Sequence, residues 1–171
     1  MEKEGIVGFA FGKPRSLPAN NIISMIICKK ARELNAPVFI QFDILVLDPG
    51  IEVFYTKEYA HQDITTYEVA SQAIDWAIKN KIKKLWIVAA PPHLTRCTRD
   101  ITYMAEQRNA EINFRICQET YHKIHSEDWF FKRSKEWWTR NKLFFWIREI
   151  FLIFTPIYFY KNFTDKGQSS W

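Results

Sequence analysis

The stretch KLWIVAAPPHLTRCTRD, from Lys84 to Asp100, constrains the fold more than any other part of this chain. Its first half, Leu85 to Ala90, is apolar without alternation, the pattern of a strand covered on both faces. Pro91-Pro92 ends that run, and a helical pattern carrying His93 and Arg96 begins at once. In open α/β sheets, ligands bind just beyond the carboxyl ends of strands. A titratable ring and a permanent cation at such a place are candidates for holding or working on an anion.

The flanking sequence repeats this alternation. Gly5–Phe11 reads as a first buried strand, followed by a turn-rich basic loop from Gly12 to Pro18. Asn20 or Asn21 can cap a helix running to about Leu34. Pro37–Ile44 reads as a second strand and Ile51–Tyr55 as a short third, with a turn at Asp48-Pro49-Gly50 between them. A helix is expected from Thr65 to about Lys79, then the strand Leu85–Ala90, a helix to about Gln107 and a strand Ile112–Cys117. The pattern predicts a three-layer, Rossmann-like α/β domain with a mostly parallel sheet flanked by helices.

Length fits one domain over 1–171, with a sheet core at 1–118, a C-terminal helical extension at 119–162 and a tail at 163–171. More than half of the aromatic residues lie beyond Gln118, which marks the last third as a different kind of surface. The region 125–162 reads as helical, broken near Pro156. Leu143–Tyr160 approaches the length of a membrane span, but Arg148, Glu149, Thr155 and Pro156 fall within it, and buried charge is costly in a bilayer. A transmembrane helix is therefore not expected. Leu143, Ile147, Ile150 and Phe154 form one apolar stripe, and Phe144, Phe145, Phe151 and Leu152 another. Intramolecular packing is the plain expectation for both; a homodimer partner or a membrane surface against 143–160 is the alternative.

The net charge of +5 is modest and scattered, which favours small anionic partners and argues against nucleic acid. Cys28, Cys97 and Cys117 lack metal-ligand spacing and leave one thiol unpaired in any disulfide scheme, so reduced thiols and a cytoplasmic location are expected. Met1 is followed by Glu-Lys-Glu and by no apolar signal region.

Three groups of residues can carry chemistry. His93 and Arg96, three apart, share one side of a helix's first turn, whose N–H groups favour anions. Arg96 offers a bidentate fork, and His93 a general acid or base near neutral pH. The plain alternative is a surface histidine and an arginine paired with Asp100. The second group surrounds Asp63 to Glu68. Thr65-x-x-Glu68 is a capping box; the functional alternative gives Thr66 and Glu68 to the rim of the same crevice, where a hydroxyl and a carboxylate can hold ribose, sugar or a metal-bound phosphate. The third is the glycine-bearing loop with Gly12 and Lys13, neither a Walker loop nor a dinucleotide fingerprint. Gln41 and Asp43, at the end of the second strand, line this edge or face solvent. No metal site is expected.

Asp63-x-x-Thr66-Tyr67-Glu68-Val69-Ala70, followed by His93-x-x-Arg96, resembles the YdcF/SanA/ElyC-like family of bacterial proteins. Its recurring features are a Ser-x-x-Thr-x-Glu-Asn-Ala helix start and a strand ending in His-x-x-Arg. Arg148-Glu149 in an aromatic helix is also similar to a family ending. The resemblance implies a Rossmann-like domain with a pocket on the carboxyl edge of the sheet, and an adenosyl-type, nucleotide-like or phosphorylated ligand. Thr66, Glu68, His93 and Arg96 are the positions it carries over, and it settles no reaction. The residues themselves lead to the expectation of a hydrolase or transferase if the chain is an enzyme, with His93 and Glu68 catalytic and Gly12, Lys13, Gln41, Asp43, Asp63, Thr66 and Arg96 binding the ligand; no cofactor is required. The competing expectation is a non-catalytic interaction module using the aromatic C-terminal helices. Asp63 and Val69 depart from the pattern, as does Asp48-Pro49-Gly50, which shortens the second crossover enough to suggest an antiparallel hairpin.

Overall fold

The structure is a computed structural model that describes residues 2–57, 64–117, 119, 129–155 and 159. Its elements are β1 (Glu4–Gly8), α1 (Pro18–Leu34), β2 (Val38–Ile40), β3 (Val53–Tyr55), α2 (Thr66–Lys79), β4 (Lys84–Val88), α3 (Pro91–Gln107), β5 (Asn113–Ile116), a 3-10 turn (Trp137–Thr139) and α4 (Lys142–Phe154). The strands form one all-parallel sheet in the order β3-β2-β1-β4-β5. Strand order reverses between β1 and β4, so the chain leaves Gly8 and Val88 in opposite directions, and the buried rings of Phe11, Trp129 and Phe145 pack over this switch point.

Alternation along the strands builds both cores. Val7, Phe39, Leu85 and Ile87 face the layer of α2 and α3. Ile6, Val38, Ile40 and Val88 face α1, Trp129 and Phe145. Ile23 and Ile27 of α1 are fully buried, each worth about 1.5–3 kcal/mol in apolar burial. Gly8 permits this closeness, because a Cβ there would stand 2.5 Å from Ile27 Cδ1.

Local chemistry explains most element ends. Pro18 opens α1, with Leu17 rather than an asparagine as N-cap, and left-handed Asn35 closes it at φ 47°. Asn20 instead turns inward: its Oδ1 accepts from Phe11 N at 2.8 Å and its Nδ2 donates to Gly12 O at 3.0 Å. Thr65 and Glu68 form the full capping box at the head of α2.

The hairpin alternative is overturned. β2 and β3 pair in parallel, Val38 beside Val53 and Ile40 beside Tyr55. The connection makes this crossover without a helix, folding through turns at Gln41–Ile44 and Asp48–Ile51 while fully buried Ile44 anchors it to the core. Apolar anchoring does here what a crossover helix ordinarily does.

The C-terminal third departs from its helical expectation. Residues 129–141 are irregular except for the 3-10 turn, their polar groups pairing with one another around Ser134 and with the loop after β1. Lys135 N donates to Lys13 O at 2.8 Å, as does Ser134 Oγ at 3.2 Å. Asn141 then caps α4 by accepting from Leu143 N. No described helix is long and apolar enough to cross a membrane.

The expectation that both stripes of α4 pack internally is also overturned. Leu143, Ile147, Ile150 and Phe154 are all exposed, and Phe144 and Phe151 join them. Phe145 and Glu149 are the residues of α4 that are buried.

Candidate functional site

Only two residues separate the end of β4 from the start of α3, so His93 and Arg96 sit on its first turns at the carboxyl edge of the sheet. No side chain caps this helix start. α2 begins beside it and brings Thr66. α4 crosses above α3 and lowers Glu149 between them. The four side chains meet at hydrogen-bond distance and are almost wholly buried: Thr66 is 9% exposed, His93 6%, Arg96 4% and Glu149 0%.

Arg96 organises the cluster. Its Nε donates to Glu149 Oε1 at 2.9 Å and its Nη1 to Thr66 Oγ1 at 2.8 Å. His93 Nε2 lies 3.3 Å from Thr66 Oγ1, and its Nδ1 lies 3.3 Å from Glu149 Oε1 and 3.1 Å from Arg96 Nη2. Nδ1 can serve only one of these two neighbours. With Glu149 ionised, the tautomer protonated at Nδ1 satisfies the carboxylate and leaves Nε2 to accept the Thr66 hydroxyl proton. The result is a continuous acid–imidazole–hydroxyl chain, Glu149–His93–Thr66, with a guanidinium along its side.

The surroundings set the charges. The rings of Phe11 and Phe145 stand 6.3 and 6.4 Å from the imidazole. Burial, reinforced by the Arg96 charge, pushes His93 down to about 4, so the ring is neutral at pH 7. Burial alone would raise Glu149, but hydrogen bonding and charge from His93 and Arg96 outweigh it and hold the carboxyl at about 2. Because His93 is neutral near pH 7, Arg96 is the partner that keeps Glu149 ionised there. Glu149 Oε2 makes no hydrogen bond among the described residues.

These shifts give acid lability a definite sign. His93 binds its proton near pH 6.5 when unfolded and only near 4 when folded, so the unfolded state takes up more protons between those values. Stability therefore falls as pH drops from 6.5 to 4, by about 3 kcal/mol from this group. Glu149, lowered from 4.5 to about 2, adds a further loss below pH 4.5. Melting temperature measured against pH should show the upper slope in the parent and lose most of it in His93→Gln. An equal slope in both would remove His93 as its source.

A second polar set extends from α3. Asp100 is fully buried and pairs with Arg99, not with Arg96, so the expected Arg96–Asp100 pair is replaced by Arg96–Glu149. Arg99 also donates to the Leu152 and Ile153 carbonyls at 2.7 and 3.0 Å. This satisfies the carbonyl end of α4 and places a cation at the negative end of its dipole.

The other candidates lie apart from this cluster. Glu68 is engaged locally, its Oε2 accepting from Thr65 N at 2.7 Å. Gly12, at φ 83°, packs against Ser134 and Thr139. Lys13 Nζ lies 3.9 Å from Asp43 Oδ2, and Asp43 is buried rather than turned to solvent. Gln41 Oε1 accepts from Ala10 N at 3.1 Å. These residues form a neighbouring group at the carboxyl ends of β1 and β2. Asp63 lies outside the described residues. Cys28, Cys97 and Cys117 form no disulfide with one another, and no group of three or more potential metal ligands occurs among the described residues.

Glu149 is the member that sequence reasoning did not assign to the site. Its signal was present all the same, as a carboxylate in the middle of an otherwise greasy helix that needs a cation when folded. No family model matches the chain, and no characterised protein matches it significantly.

Proposed function

We propose that this protein handles a small anionic compound, nucleotide-like or phosphorylated, at the carboxyl edge of its sheet, and acts on it by hydrolysis or group transfer. One observation carries the reading: four side chains from three separate helices converge as a buried acid–imidazole–hydroxyl chain braced by Arg96. Neutral His93 is poised to take a proton at Nε2, Glu149 fixes its tautomer, and Arg96 favours negative charge developing at Thr66 Oγ1. Arg96, not the start of α3, is the cationic group for the anion, since Pro91 and Pro92 carry no N–H and His93 N already donates to Ala90 O at 2.9 Å. The YdcF-like resemblance supports the same assignment, with Glu149 taking the acidic role that the sequence offered to Glu68. Three cysteines that form no disulfide with one another favour the reducing cytoplasm.

Thermal-shift measurements with nucleotides, adenosyl compounds and sugar phosphates test the reading. At a hundredfold excess over Kd a true ligand raises Tm by about 5–10 °C. His93→Gln, which keeps a polar group in place, should reduce that rise. No stabilisation of the parent by any of these compounds overturns the assignment. A second reading, an interaction module, is favoured by the outward face of α4.

A further inference from the structure

α4 carries its polarity inside out. Leu143, Phe144, Ile147, Ile150, Phe151 and Phe154 are each at least half exposed. At 3.6 residues per turn they form a strip roughly 120° wide that contains no polar residue. The charge of Glu149 points inward to Arg96 instead. The greasy surface continues into the 3-10 turn, where Trp137, 55% exposed, packs edge-on against Phe144 at 5.8 Å. Isolated exposed apolar residues are ordinary, but a contiguous helix face of this kind marks a contact.

The surrounding charge identifies the partner. Lys132, Arg133, Lys135, Arg140 and Lys142 are exposed in the segment leading into the strip, and Arg148 borders it, stacked 4.5 Å over Trp138. Glu136 is the one acidic residue of 129–155 besides inward-facing Glu149. A second copy meeting this face about a twofold axis would set this cationic set against itself, which is unfavourable. Apolar side chains with tryptophans beside them and lysines and arginines around suit the acyl–headgroup boundary of an anionic bilayer. With 13 residues, α4 is about 20 Å long, too short to span and suited to lie flat.

We propose that the outward face of α4 docks on anionic lipid surfaces, holding the domain at the membrane in the interfacial plane. This surface is separate from the His93 cluster, so either assignment can fail without the other.

Cosedimentation of the full chain with vesicles tests it, using phosphatidylcholine alone and phosphatidylcholine with about a third phosphatidylglycerol. Binding is expected to the anionic vesicles, at least about tenfold above the neutral ones, and to weaken strongly at about 0.5 M salt. Ile147→Glu and Phe151→Glu, each at an exposed site, should abolish binding while leaving Tm unchanged within about 2 °C. Failure to bind anionic vesicles overturns the proposal. So does unaltered vesicle binding by both variants, or a dimer in solution that Ile147→Glu dissociates.

Discussion

Replacing Glu149 with alanine is expected to destabilise the fold by about 3–5 kcal/mol, the cost of leaving a buried guanidinium without its counter-charge. For a chain of this size that lowers Tm by roughly 10 °C. The loss arises because Arg96 Nε, at 2.9 Å from the carboxylate, has no water to turn to at 4% exposure. Arg96→Met should cost a similar amount, by stranding the carboxylate instead. The double replacement Arg96→Met with Glu149→Leu should cost clearly less than the two singles together, since neither charge is then left alone. Chemical denaturation of the four proteins reads the coupling directly. A loss below about 1 kcal/mol for Glu149→Ala would show that the pair is solvated and the cluster open.

Phe145→Ala should rank beside it, at about 3–5 kcal/mol. The ring is 2% exposed and stands 5.1 Å from Phe11 and 5.6 Å from Phe130, so truncation opens a cavity where α4 meets the loop after β1. It also lets water reach His93, whose low proton affinity depends on dryness; the acid slope of stability should shrink in this variant. Phe144→Ala, one residue earlier but half exposed, is the internal control and should change stability by no more than about 0.5 kcal/mol. Similar losses for both variants would mean that the two faces of α4 are wrongly assigned.

The parallel sheet and the meeting of Thr66, His93 and Arg96 were legible because local patterns fixed them. An unalternating apolar run predicts a doubly covered strand, and a helix starting directly after it leaves little freedom for where its first turn lies. A capping box marks the start of α2 to the residue. Glu149 was harder because its pairing spans distant parts of the chain, while Asp100 offered Arg96 a nearer partner on the same helix. That choice turns on side-chain direction: Asp100 lies beside Arg99, and α4 fills the place beside Arg96. The β2–β3 connection misled for a related reason. Its length suits a hairpin, and only the burial of Ile44 and the pairing along Val53–Tyr55 give the return its parallel sense. Periodicity reports that α4 is amphipathic, yet nearly every side of it is apolar, so pattern alone could not say which side turns inward.

Arg99 grips the last turn of α4 and Arg96 grips its middle, so the seam between α3 and α4 is keyed by two charged teeth. Greasy seams tolerate slippage; this one does not, since sliding α4 by a single turn would unseat both teeth together. The final helix is thus no detachable appendage. A chain cut short at Arg140 would not leave a smaller intact domain, since Arg96 would lose its counter-charge and Phe11 and His93 the ring that covers them.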